Sequence, residues 1–171
     1  MSALPRARPV TLEEFEQMPR FDGIQELLEG IVVEMPPPKQ RHSLLVKRIA
    51  RILERRLPES RIWIETGFAL GRHCPQPDVA VIHDGQAMER GWYAGAPAIA
   101  IEIASRGNSP EEFAFKRELY LANGAREVWM VFDRTRTVEV YGPDGSGRTY
   151  RGSFHSNEAG GEMPLAELFS E

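Results

Sequence analysis

Two periods organise the chain: short runs that alternate apolar and polar residues, and two longer stripes at helical spacing. Thr11 and Glu14 have capping-box spacing at the head of TLEEFEQM, which predicts a short helix. IQELLEGIVVEM reads as two strands around a turn at Glu29-Gly30, and the prolines at 36–38 stop the second. From His42 to Leu57, Leu45, Ile49, Ile52 and Leu53 form an apolar helical stripe while Lys47, Arg51 and Arg55 stack on another face. Pro58 is expected to end that helix. RIWIETGFALG (61–71) and PDVAVIH (77–83) predict two strands, followed by a loop bending at Gly85, Gly91 and Gly95.

PAIAIEIAS, Pro97 to Ser105, predicts the next strand, and Ser109-Pro110-Glu111-Glu112 is a strong helix start. That helix is expected to run to about Asn123, with Gly124 as its stop. REVWMVFD (126–133) and RTVEVYG (136–142) read as a hairpin or adjacent strands. The tail from Ser153 carries little pattern beyond a last helical turn at PLAELF. Helix, hairpin, basic helix, three strands, helix and two strands make an α/β fold with a mixed central β-sheet flanked by helices.

The alternation also exposes an anomaly. Ile99, Ile101 and Ile103 share one face of their strand, so Glu102 shares the other with Ala98, Ala100 and Ala104. In PDVAVIH, Val79 and Val81 point one way, and Asp78, Ala80 and Ile82 the other. An unpaired buried charge is costly, and two carboxylates on neighbouring strands repel unless a cation sits between them. Oxygen-only ligands suit a hard divalent ion such as Mg²⁺. The structural alternative has Asp78 capping a turn and Glu102 paired with an arginine. Lys116 follows Phe113 and precedes Tyr120 on one helical stripe. It either snorkels along the two rings or delivers an ammonium to the carboxylates.

Length and composition fit a globular chain: 171 residues, 42% hydrophobic and 27% charged, enough for one domain over 1–171 with a sizeable core. No run approaches a membrane span, the N-terminus lacks a signal-peptide core, and the single cysteine, Cys74, forms no internal disulfide. A cytoplasmic location is expected. The net charge of -4 conceals an asymmetry: residues 39–61 carry +6 and the remainder -10. Such a patch attracts phosphates, and it is equally a solvated helix face. His73 and Cys74 lack a second pair at zinc spacing, and there is no phosphate-cradling glycine loop or G-x-S-x-G turn.

The series QELLEGIVVEM, His42 opening a helix, TGFALGRHCPQPDVAVI, IEIAS and FKRELYLANGAREVWMVFDRTRTVEVY resembles the restriction endonuclease-like family of the PD-(D/E)XK nuclease superfamily, over about residues 10–142. The PD dipeptide is followed 24 positions after Asp78 by Glu102 and 14 beyond that by Lys116. The resemblance implies a restriction-endonuclease-like core in which Asp78, Glu102 and the carbonyl of Ile103 hold the metal. It makes Asp78, Glu102 and Lys116 catalytic, and it adds Glu26 and His42 as recurrent positions. His42 shares the inward side of its helix with Leu45 and Ile49, so a core histidine is the competing reading. The sequence departs from the signature at Ala104, where the lysine would stand; Lys116 is its migrated counterpart. It departs again at Ser105-Arg106, where relatives show Ser-Pro.

The function this implies is Mg²⁺-dependent hydrolysis of DNA phosphodiester bonds, with Mn²⁺ as a substitute. Lys47, Arg51 and Arg55 would contact the DNA backbone. Cutting two strands with one small site favours a homodimer or higher homo-oligomer. The alternative is a nucleic-acid-binding or assembly module that keeps the fold without turnover. A small-molecule hydrolase has no nucleophile motif behind it.

Overall fold

The computed structural model describes residues 8–19, 22–105 and 108–170. Thr11 caps α1 (Leu12–Glu16) as its spacing predicts: its hydroxyl accepts from the Glu14 N–H, and the Glu14 carboxylate accepts from the Thr11 N–H. Strands β1 (Ile24–Leu28) and β2 (Ile31–Met35) pair antiparallel. Glu29 and Gly30 between them take φ values of 53° and 76°, the left-handed pair that a two-residue hairpin needs.

Helix α2 spans Gln40–Glu54 and stops short of the expected Leu57. Leu57 precedes Pro58, whose ring disfavours helical geometry there, and the Leu53 carbonyl closes the end by accepting from both Arg56 and Leu57. The run 61–71 is not one strand. After a 3₁₀ turn at Glu59–Arg61, β3 (Ile62–Ile64) ends where Glu65 takes φ 47°, and β4 (Phe68–Ala69) joins a different sheet. β5 covers Val79–Val81. The expected loop contains β6 (Met88–Glu89) and β7 (Trp92–Ala94), which complete a three-stranded sheet with β4. Alternation is too short there to register in sequence.

β8 is Ile99–Ile103 and α3 is Pro110–Ala122, with Gly124 at φ 105° beyond its end. Ser109 accepts from the Glu112 N–H, but the Glu112 carboxylate accepts from the Asn108 amide, so half of a capping box forms. β9 (Glu127–Phe132) and β10 (Thr137–Tyr141) are a hairpin. The tail holds more than was legible: β11 (Gly147–Tyr150), the β12 (Ser153–Ser156) and β13 (Gly161–Pro164) hairpin, and α4 (Leu165–Leu168) at the expected last turn.

The central sheet has six strands in the order β11-β10-β9-β8-β5-β3. Only β8 and β9 run parallel, so the sheet is mixed, as expected. Its two faces are chemically distinct. Val79, Val81, Ile99, Ile101 and Ile103 pack beneath Leu45, Ile49 and Leu53 of α2 and Leu165 and Leu168 of α4. Ala80, Ala100, Val128 and Met130 pack on the opposite side with Tyr120 of α3. Alanines there let α3 approach closely, and the two carboxylates project from this face. Phe15 of α1 stacks on Trp92 with ring centroids 5.5 Å apart, in a smaller core with Leu27 and Cys74. Among the described residues, no helix is long and apolar enough to cross a membrane.

Candidate active site

Strand register brings the first two residues together. Val79 pairs with Ile101 and Ala80 with Ala100, so Asp78 lies beside Glu102 at the end of the β5–β8 ladder. Both are 6% exposed. Extending that register puts Pro77 opposite Ile103, and a proline has no N–H to give the ladder. Pro77 therefore gives the Ile103 carbonyl no ladder donor, while the Ile103 N–H donates to Asp78 Oδ2 at 2.6 Å. Its Oδ1 lies 2.8 Å from His42 Nε2 in the first turn of α2. That hydrogen bond raises the His42 pKa above the ordinary histidine value against the opposing effect of burial. His42 therefore faces inward onto Asp78, a contact that the site reading and the satisfied core-histidine reading both allow.

Lys116 is 5% exposed, so its ammonium does not reach water as a snorkelling lysine would. Nζ donates to Glu26 Oε1 at 2.9 Å and lies 3.3 and 3.4 Å from Glu102 Oε1 and Oε2. The expected alternative of an arginine partner for Glu102 is not what forms; the cation is Lys116. One helical turn on, Tyr120 donates its hydroxyl to Glu102 Oε1 at 2.8 Å. Glu26, fully buried on β1, also accepts from the Gln76 N–H at 2.7 Å, while its Oε2 has no hydrogen-bond partner among the described residues.

Burial acts first on these groups. It pushes Glu102 up to about 8, with the charges of Asp78 and Glu26 adding to it and Lys116 and Tyr120 opposing. Burial alone would discharge Lys116, but Glu102 and then Glu26 outweigh it and hold the ammonium above the ordinary lysine range. Burial and the same carboxylates raise Tyr120 well above the usual phenol value, so it stays a donor.

Three buried carboxylates against one ammonium leave a surplus of acceptor oxygens. Their hardness and the orphaned Glu26 Oε2 fit a small divalent cation in charge and donor type. The arrangement is not a preformed cage: among the described residues, no three acidic, histidine or cysteine side chains are grouped closely enough to enclose an ion. Each Asp78 and Glu102 oxygen already has an internal partner. Binding would exchange some of those bonds, His42 on Asp78 being the most accessible.

Sequence reasoning missed the Tyr120 hydroxyl, which its position four residues after Lys116 could have signalled, and the Gln76 N–H, which nothing local signals. It also missed Glu65. Burial, then Asp78, raises the Glu65 pKa, and its N–H donates to the Asp78 carbonyl at 3.4 Å. Arg106 lies outside the described residues.

The basic segment has a second use. Arg41 grips Asp133 at 2.8 and 3.0 Å, Arg48 donates to the Leu168 and Ser170 carbonyls, and Arg56 donates to the Glu162 carbonyl. Arg55 pairs with Glu167 of α4. Much of the +6 thus fastens the C-terminal segment to α2. Lys47 and Arg51 remain exposed, with no ion pair among the described residues.

A crystallised protein from Anabaena variabilis ATCC 29413, described as a putative nuclease belonging to DUF820, superposes with a TM-score of 0.83 at 23% identity, over 95% of this chain and 98% of that one. The likeness establishes a shared fold. No curated protein matches the chain. Residues 12–170 match the Uma2 family, described as putative restriction endonuclease, and the protein belongs to that family.

Proposed function

We propose that the protein is a Mg²⁺-dependent endonuclease that hydrolyses DNA phosphodiester bonds, with Mn²⁺ able to substitute. The observation that carries this reading is Lys116, buried and bridging Glu26 and Glu102 beside Asp78. A lysine on an aromatic stripe of a helix has cheaper places to go, and three acidic groups gathered around it form a poised electrostatic site.

Asp78 and Glu102 would hold the ion, with the Ile103 carbonyl, which Pro77 cannot occupy, as a third oxygen. When bound, the ion supplies a water of lowered pKa and neutralises charge on the phosphate. Lys116 holds a positive charge at the edge of that space, where it orients a nucleophilic water or steadies the phosphate oxygens. Tyr120 and Glu26 fix the Glu102 carboxylate and the ammonium by hydrogen bonds. His42 orients Asp78. Lys47 and Arg51 face solvent, where they would contact phosphates without reading bases. Cutting both strands of a duplex would take two copies of this single site.

Incubating supercoiled plasmid with the protein in Mg²⁺, Mn²⁺ or EDTA tests the proposal. The expected result is nicking with either metal, none in EDTA, and none with Glu102→Gln. Salt-sensitive DNA binding with no cutting under any of these conditions would replace this reading with that of a non-catalytic binding module.

A further inference from the structure

Beside the carboxylates, on the same side of the sheet, lies a cavity of about 320 Å³ that the chemistry above leaves unused. Its lining includes Ala104 and Ser105, the residues that follow Glu102 and Ile103 out of β8. The register makes the link geometric. Glu102 pairs with Met130 of β9, and Met130 pairs with Glu139 of β10, so the three side chains form one cross-strand row on one face. At about 4.8 Å per strand, Glu139 stands about 10 Å from Glu102. Helix α3 roofs both spaces, sending Lys116 to the carboxylates and Phe113 and Arg117 to the cavity.

The walls suit a flat aromatic ligand. Phe113 and Phe132 stand with ring centroids 6.0 Å apart at 33°. Opposite them, the Arg117 guanidinium lies 4.5 Å above the Tyr141 ring. The lining carries an acceptor: Glu139 Oε2 accepts from the Tyr141 hydroxyl at 2.8 Å, and its Oε1 has no hydrogen bond among the described residues. Rings and a guanidinium plane stack on any base, and a carboxylate selects a base edge bearing an amino donor, such as N4 of cytosine. The cavity is of the size that small ligands occupy. A base inside a duplex has both faces stacked and cannot enter it.

We propose that this cavity binds one unpaired, amino-bearing nucleobase adjacent to the scissile phosphate, with Phe113, Phe132 and Arg117 stacking and Glu139 accepting from the amino group. It rests on the nuclease reading and gives that site a substrate preference: strands with an extrahelical or single-stranded nucleotide beside the cut.

Fluorescence anisotropy in EDTA, where no cleavage occurs, tests it with three labelled duplexes: fully paired, carrying one unpaired cytosine, and carrying one unpaired thymine. Wild type should bind the unpaired-cytosine duplex about tenfold more tightly than the paired one, with thymine between. Phe132→Leu should remove most of the preference for either unpaired base. The milder Glu139→Gln, at a half-buried position, should abolish discrimination of cytosine from thymine while keeping the preference for unpaired DNA. Equal affinity of wild type for all three duplexes, or wild-type preferences in both pocket variants, would overturn the proposal. A protein that shows the preference yet never nicks plasmid would overturn the nuclease reading and leave the pocket standing.

Discussion

Replacing Lys116 with methionine removes a charge and keeps the apolar stem, so it isolates what the ammonium does. Its Nζ lies 2.9 Å from one buried carboxylate and 3.3 Å from another. At an effective dielectric constant near 20, one such contact is worth about 5 kcal/mol before desolvation is counted. The measured cost of removing one partner from a buried pair is about 3–5 kcal/mol, because the partner's charge is left without compensation. A native protein is stable by only about 5–15 kcal/mol, so Lys116→Met should unfold at much lower urea concentration while still folding in its absence. Two further results are diagnostic. Glu26→Gln in the Lys116→Met background should recover more than about 1 kcal/mol, since it removes one of the two stranded carboxylates. Lowering the pH from 8 to 5 should narrow the gap to wild type, because Glu102, whose pKa burial raises to about 8, can then take up a proton. Urea denaturation monitored by tryptophan fluorescence provides all of these values. A Lys116→Met protein within about 0.5 kcal/mol of wild type at pH 8 would refute the claim that the ammonium compensates two buried charges.

Three other expectations follow from the same geometry. Glu102 is held protonated up to about 8 by burial, against an ordinary 4.5; its contribution to stability is complete below 4.5 and fades as the pH rises through 8, so the metal-free protein should weaken over that window. A divalent ion should reverse the trend by displacing the proton, and calorimetry in buffers of different ionisation enthalpy at pH 7 should register about one proton released per Mg²⁺ bound; none released would count against Glu102 as ligand. Changing Lys47 and Arg51 together to Gln should weaken duplex binding and reduce its salt slope by about two, whereas Arg55→Gln should chiefly loosen the α4 contact with Glu167; an unchanged slope would make the Lys47 and Arg51 face a plain solvated one. Gly67→Ala should cost about 1–3 kcal/mol, read by thermal denaturation, because the new Cβ would stand 2.3 Å from a Trp92 ring carbon; an unshifted Tm would show that the ring can move aside.

What sequence could supply depended on how far apart the partners lie along the chain. The faces of β5 and β8 follow from residue alternation alone, so Asp78 and Glu102 were legible as neighbours on an alanine-lined surface. Helical spacing placed Lys116 and Tyr120 on one stripe but left the lysine's destination open between water and the carboxylates. Glu26 came only from the family resemblance. Its partners, Lys116 and the Gln76 N–H, lie 90 and 50 residues away, and nothing local in QELLEG reveals that one carboxylate faces inward to meet them. The short strands β4, β6 and β7 escaped for a related reason: two or three residues cannot display a period, and they are fixed by their pairing. The 61–71 run misled because its apolar residues continue through Glu65, where the backbone turns.

The basic helix shows how a charge count and a charge's use can part company. Read along the chain, Arg41, Arg48, Arg55 and Arg56 are part of the +6, phosphate-attracting segment of residues 39–61. In three dimensions each is engaged by acceptors from beyond residue 130: Asp133, the Leu168 and Ser170 carbonyls, Glu167 and the Glu162 carbonyl. An arginine fork suits this task because it can donate to two acceptors at once while its stem covers apolar surface. The consequence reaches the site. α2 carries His42 to Asp78 from its first turn, and these contacts fasten the tail over α2, above the sheet face opposite the carboxylates. A helix held along its whole length presents its first turn at a fixed height, so the 2.8 Å contact between His42 and Asp78 is set partly by arginines that never approach it. Much of the excess positive charge of residues 39–61 therefore serves the architecture, and among the described residues Lys39, Lys47 and Arg51 remain exposed without an ion pair to meet a polyanion.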